Sequence, residues 1–235
     1  MSLEQNTQLL QGYAGVKQDG AYGPVTALAL CKKLGLLPVL APVNVPRTET
    51  ITQRRSPVVC IDPGHGLSNR RSGLFDPGCE RGDLHEADVV LVWANQLADA
   101  LQALGVRVVW TRRSNNEDCP VGLRARKARD LGADTLISIH VNDDDSASAN
   151  GIETLYLSGP GDRELAEKCQ DALVAGLGLR DRGVKEREDL AVLKFYGRAV
   201  LLEVGFIGHA ADVLAFTDAP RISKTCELLA AAIIA

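Results

Sequence analysis

The sequence predicts an α/β fold, with a mainly parallel twisted sheet flanked by helices on both faces and a small helical unit ahead of it. Three observations carry this. From residue 57 onward, short β-branched runs alternate with longer segments whose apolar residues recur at helical spacing. The chain has 235 residues, 46% of them hydrophobic and 24% charged, enough for one substantial core and a small appendage. A proline-rich stretch over residues 38–56 has neither helical nor strand periodicity and divides the appendage from the rest.

The elements follow in order. Residues 1–37 contain apolar residues at helical spacing on both sides of "QDGAYGP", where Asp19-Gly20 and Gly23-Pro24 make a turn and Pro24 can open a second helix. After the linker, residues 57–235 form the main domain. "PVVCIDPG" reads as a buried strand, "DLHEADVVLVWANQLADALQALG" as a long helix closed by Gly105, and "VRVVWTR" as a second strand. "CPVGLRARKARDLGA" is a helix, "DTLISIHVN" and "GIETLYLSG" are strands, and "DRELAEKCQDALVAGLG" is a helix. "RAVLLEVGFI" is the last strand, His209 starts the helix after it, and a final helix runs through "RISKTCELLAAAIIA". In such a sheet the functional groups gather at the carboxyl ends of the strands.

Composition excludes several classes. A net charge of -4 gives no basic surplus for phosphate, so nucleic acid is not an expected partner. No apolar run reaches the roughly 18 to 20 residues that span a bilayer, and the N-terminus lacks the pattern of a signal peptide. Membrane insertion is not expected, and synthesis in the cytoplasm is. The six cysteines are scattered without a CxxC pair, which reads as reduced core thiols; Cys79, in "FDPGCERG", is the one in an evident loop and is left as an exposed thiol. There is no GxSxG elbow, no GxxxxGK[ST] loop, no HExxH helix and no GxGxxG.

Three strand ends do carry chemistry. His65 follows "VVCIDPG", His140 follows "LISI", and Glu203 interrupts the apolar run "AVLLEVGF". A catalytic zinc takes about three protein ligands and keeps an open position. His65 and His140 supply two. Glu86, in the first turns of the helix after the His65 loop, fits as the third, with His85 as its competitor; side chains of consecutive helical residues point about 100° apart, which speaks against both binding one ion. Asp62 and Asp88 are further candidates, the first also able to fix the "DPGHG" turn and the second to sit solvated on the helix. For His209, capping or solvent exposure is the expected role. Glu203, among Leu201, Leu202, Val204 and Phe206, would have a raised pKa suited to an acid–base group. A structural Glu paired with Arg198 is the competing reading.

These residues resemble a known family. "VVCIDPGHG", Glu86 in "HEADVVL", "LISIHVN" and "AVLLEVGFIGHAAD" are similar to the successive motifs of zinc-dependent N-acetylmuramoyl-L-alanine amidases of the amidase-3 type, and "GVKEREDLAVLK" resembles the segment before the last motif. The resemblance covers nearly all of residues 57–235. It implies one Zn²⁺ on His65, Glu86 and His140, a catalytic Glu203, and hydrolysis of the amide joining N-acetylmuramic acid to L-alanine in peptidoglycan. Three departures stand out: Val90 where the family often has Asn, Val141 where a small residue is usual and where it is expected to narrow the groove, and no helical insertion after "HVNDDDSASANG". The last implies a site open without an activator, as in phage endolysins. The unit 1–37 resembles part of a helical peptidoglycan-binding domain through "DGAYGPVT". The expectation is a monomer, a phage or prophage endolysin that reaches the cell wall after the inner membrane is breached.

Overall fold

A computed structural model of the chain describes residues 56–146, 148–159 and 161–235. The helical unit expected over residues 1–37 and the expected linker, up to residue 55, lie outside the described residues.

Strand β1 (Val58–Pro63) is the buried run read from the sequence. Two small hairpins follow, β2 (Gly66–Leu67) with β3 (Phe75–Asp76) and β4 (Glu80–Arg81) with β5 (Leu84–His85). Helix α1 (Glu86–Ala103) places Ala87, Val90, Ala94, Leu97 and Leu101 on one buried stripe at intervals of three and four. It ends as expected at Gly105, whose positive φ of 77° and N–H bond to the Gln102 carbonyl close the last turn. Then come β6 (Arg107–Trp110), a 3₁₀ turn leading into α2 (Arg124–Asp130), β7 (Thr135–Asn142), β8 (Ile152–Tyr156) and α3 (Asp162–Leu177). Strand β9 (Asp181–Glu186), β10 (Arg198–Phe206), α4 (Ala210–Thr217) and α5 (Ala219–Ile234) complete the chain. Asp218 separates the two last helices and caps the second by accepting the Arg221 N–H at 3.0 Å.

The other six strands form one sheet in the order β6-β1-β7-β10-β8-β9. Within it every pairing is parallel except β10 with β8. The exception follows from chain length, since residues 143–151 between β7 and β8 are too few for the dozen or so that a parallel crossover requires. The sequence reading had no strand at β9. Its "DRGVKE" has no apolar alternation because it is a sheet edge, and edges are protected by charge.

Side-chain alternation along the strands sorts the core into two layers. Val59 and Ile61 of β1, Ile137, Ile139 and Val141 of β7, and Val200, Leu202 and Val204 of β10 pack under α1, α3 and α5. Val58, Cys60, Leu136, Ala199 and Leu201 face the other way, against Ala128 of α2 and Val192, Leu193 and Phe195. The first layer is thick. Trp93 is fully buried there, and its indole N–H donates to the Phe216 carbonyl at 2.9 Å, tying α1 to α4. The second layer is thin, covered by one seven-residue helix and short 3₁₀ turns. His140 continues the Leu136 and Ser138 series of β7, and Glu203 the Ala199 and Leu201 series of β10. Both therefore project on the thinly covered face.

Candidate metal centre

The parallel pairing of β7 and β10 sets His140 and Glu203 side by side as register partners at the carboxyl ends of their strands. On the other side of β7, β1 ends at Pro63 and the chain turns sharply. His65 occupies the left-handed region with φ 61°, followed by Gly66 at 94°. The β4–β5 hairpin then brings the chain back so that Glu86 opens α1 beneath the two histidines.

These three side chains converge. His65 Nε2 lies 3.0 Å from Glu86 Oε2, and His140 Nδ1 lies 2.9 Å from Glu86 Oε1. The imidazole centroids are 5.0 Å apart. The backbone fixes the carboxylate between them, since the Cys79 N–H donates to Oε2 at 3.0 Å and the Val141 N–H to Oε1 at 2.9 Å. Burial alone would raise the Glu86 pKa, but hydrogen bonds and charge from His140 and His65 outweigh it and hold the carboxyl well below its usual range. His65 is shifted up: burial opposes its charge, yet Glu86 and then Asp76 win. The two shifts thus favour the charged form of each group, an anionic Glu86 beside a cationic His65.

One ligand atom from each of His65, Glu86 and His140 lies within 4.8 Å of the others. Two imidazoles and a carboxylate are the donor set of a divalent ion with an open coordination position. The surroundings fit as well. A Cβ on Gly64 would collide with the His140 ring, and one on Gly78 would lie 2.8 Å from His65 Cδ2, so backbone closes on the ligands from two sides. The second nitrogen of His65, Nδ1, makes no hydrogen bond and faces Asp76 Oδ2 at 3.4 Å, which leaves Nε2 as the inward donor.

Glu203 stands at the wall of the same cleft, which has a volume of about 470 Å³. Its Oε2 is buried without a hydrogen-bond partner. Burial, then the charges of Glu86 and Glu153, push its pKa well above the usual carboxylate value, with only Arg187 opposing. Arg198, its expected partner under the competing reading, instead donates to Thr135 Oγ1 and the Ile233 carbonyl.

The other candidates separate from the cluster. His85 lies between Glu80 at 3.2 Å and Asp88 at 3.5 Å and faces away from the cleft. Asp62 is fully buried and bonds to Thr111, Ser138 and Arg124 rather than to turn backbone, which corrects the expected turn role. Asp88 is exposed, as read, and accepts from Asn115. His209 occupies the N-cap position of α4 but makes no capping bond; its Nδ1 meets Asp212 Oδ1 at 2.9 Å. Cys79 is not an exposed loop thiol. It is half-buried against Glu86 and Val141, its Sγ donates to the Val141 carbonyl at 3.2 Å, and burial followed by the Glu86 charge raises its pKa, so it stays protonated. Val90 lies on the buried face of α1, and Val141 belongs to the core layer that this face packs on, its side chain directed away from that of His140. Sequence reasoning missed Asp76, Arg112 and Arg124, whose contacts with the Pro63–His65 turn join positions up to 61 residues apart.

Residues 59–235 match the family model described as N-acetylmuramoyl-L-alanine amidase. N-acetylmuramoyl-L-alanine amidase LytC of Bacillus subtilis (strain 168) is 35% identical over 189 residues, covering 77% of this chain and 36% of LytC. The uncharacterized protein YqiI of the same strain is 35% identical over 189 residues, covering 79% of this chain and 84% of YqiI. Among solved structures, an N-acetylmuramoyl-L-alanine amidase from Clostridium difficile 630 shares the fold with a TM-score of 0.69 at 29% identity, over 76% of this chain and 95% of that one. The catalytic domain of the amidase CwlV from Bacillus (Paenibacillus) polymyxa var. colistinus gives 0.66 at 27%, over 75% and 96%.

Proposed function

Because the chain belongs to the N-acetylmuramoyl-L-alanine amidase family, we propose that it hydrolyses the amide between N-acetylmuramic acid and the L-alanine of the stem peptide in peptidoglycan, with one Zn²⁺ held by His65, Glu86 and His140. The observation that carries this reading is the convergence of those three donors beside Glu203, whose Oε2 is buried without a hydrogen-bond partner. A bound Zn²⁺ supplies Lewis acidity towards the scissile carbonyl and lowers the pKa of water.

The chain's own residues do the rest. Glu86 holds its two oxygens between His65 and His140 through the Cys79 and Val141 amides, so the ligands are arranged before the ion arrives. Glu203 takes a proton from the attacking water and returns it to the departing L-alanine nitrogen; its raised pKa suits both halves of that transfer. Leu155, Leu190 and Leu201 line the cleft and give the alanyl methyl and lactyl carbons an apolar wall.

We place the action at the cell wall, by a monomer, as an endolysin-like bacteriolytic enzyme. The β7–β8 connection carries no helix among its described residues, which leaves the cleft open. Residues 1–37 act in this reading as a wall-binding unit that raises the local concentration of the catalytic domain. The deciding experiment digests purified peptidoglycan and identifies the products by mass spectrometry. Stem peptides with a free L-alanine amino group and glycan with free lactyl carboxylates are expected from the parent and absent with Glu203→Gln; cleavage inside the stem peptide instead would defeat the assignment.

A further inference from the structure

The His65 loop is held by two buried guanidinium groups that the proposed chemistry does not use. Arg112 and Arg124 have relative exposures of 0% and 2%. A guanidinium carries five N–H donors, so each must be matched with acceptors when buried. Here seven of their ten hydrogen bonds go to backbone carbonyls, and four of those seven to the consecutive residues Pro63, Gly64 and His65.

Arg112 Nε donates to the Pro63 carbonyl at 2.9 Å, and its Nη2 donates to the Gly64 carbonyl and, at 3.2 Å, to the Ala87 carbonyl. Ala87 follows Glu86, so this one side chain joins the His65 loop to the start of the helix that carries the second ligand. Arg124 Nη1 donates to the Pro63 carbonyl and to Asp62 Oδ1, both at 2.8 Å. Its Nη2 donates to the His65 carbonyl at 2.6 Å and to Asn69 Oδ1 at 3.0 Å. Asn69 Nδ2 in turn donates to Asp76 Oδ2 at 2.7 Å, the oxygen that faces His65 Nδ1. Arg124 therefore holds the His65 carbonyl directly and, through Asn69, places the Asp76 carboxylate that faces the His65 ring at 3.4 Å.

The loop needs such restraint. His65 sits at φ 61°, a region a non-glycine residue reaches at a cost that surrounding contacts must cover. Gly66 next to it has φ 94°, and a Cβ there would come within 2.9 Å of Arg112 Nε, so the guanidinium fills the space against the turn. A lysine in either position keeps the charge but loses the planar fork that reaches several carbonyls at once.

We propose that Arg112 and Arg124 are positioning residues of the metal centre, whose guanidinium groups clamp the Pro63, Gly64 and His65 carbonyls and so set the ligand pose of His65. This rests on the zinc reading above. Loss of partners that orient a ligand typically weakens metal affinity about 10-fold to 100-fold.

The test uses the full chain, stripped with a chelator and titrated with Zn²⁺ against a competing chromophoric chelator. Arg124→Lys and Arg112→Lys are each expected to weaken zinc affinity about 10-fold to 100-fold. Asn69→Ala keeps both arginines and their bonds to the Pro63, Gly64 and His65 carbonyls and removes the link from Arg124 through Asn69 to Asp76, so it serves if the lysine variants do not fold; about 10-fold weakening is expected. Destabilised controls in α5, Leu229→Ala or the milder Ile233→Val, are chosen to match the variants in thermal midpoint, and their zinc affinity stays within twofold of the parent. The proposal is overturned if Arg124→Lys, Arg112→Lys and Asn69→Ala all bind Zn²⁺ within twofold of the parent, or if the matched controls weaken binding equally. A parent that binds no Zn²⁺ overturns the zinc reading itself and this proposal with it.

Discussion

Replacing Glu203 with Gln separates chemistry from folding, because the side chain keeps its shape and loses only its capacity to take up a proton. Acid–base catalysis by one positioned group contributes about 10² to 10⁴ in rate, or about 3 to 5 kcal/mol of transition-state stabilisation. The variant should lose that much turnover on purified walls. Its stability should move the other way. Oε2 has no partner, and burial with the Glu86 and Glu153 charges holds the carboxyl well above its usual value of 4.5. A raised carboxyl pKa means that the folded state binds the proton more tightly than the unfolded chain. Below about 4.5 the group is protonated in both states and has no effect; as pH rises from there towards the folded pKa, stability falls progressively. Glu203→Gln removes that loss, so in chelator-treated protein its midpoint should gain on the parent's between pH 5 and pH 8. The assays are a turbidity rate on walls and thermal unfolding across that range. Activity above a tenth of the parent's, or a variant that loses ground to the parent as pH rises, would refute the reasoning.

Three further outcomes are expected. Glu86→Ala removes the carboxylate that joins both histidines, and it should abolish stoichiometric zinc in metal analysis and reduce wall lysis to the level of the chelated parent. Asp62→Asn leaves the Arg124 charge buried without its counter-ion and should cost about 3–5 kcal/mol at pH 7 in urea unfolding. Burial alone would raise the Asp62 pKa, but Arg124 and the Thr111 and Ser138 hydroxyls hold it below 3.8, so its contribution is present above that value and is lost as pH falls through the folded pKa. The gap between parent and variant should therefore narrow below about pH 3.8. Deleting residues 1–56 should lower the fraction of protein that pellets with purified walls while leaving turnover on soluble muropeptides unchanged; equal pelleting would remove the wall-binding role.

What the sequence revealed of the site, it revealed by contrast. His65, His140 and Glu203 stood out because each interrupts or ends an apolar strand, and a polar residue there must either be satisfied or be used. Glu86 was legible for a different reason, since a carboxylate in a first helical turn after a loop is placed by chain connectivity rather than by pattern. Arg112 and Arg124 gave no such signal. An arginine after a strand and another at a helix start read as solvated charges, and only the packed loop turns them into buried ones. Strand β9 escaped for the opposite reason, being polar where a strand is expected to be apolar.

The parity of β7 explains why the site lies where it does. Ile137, Ile139 and Val141 commit one set of side chains to the thick layer under α1, so Ser138 and His140 are forced to the thin side, where the cleft can open. Glu203 obeys the same parity through Leu202 and Val204. A slip of one residue in either strand would exchange the two sets, burying the histidine or the glutamate in the hydrocarbon layer and exposing valine and leucine in its place. The apolar residues that make the core are thus also what aims His140 and Glu203 into the cleft, and under the proposed zinc reading a core substitution in β7 that loosens this register should damage metal binding before it unfolds the domain.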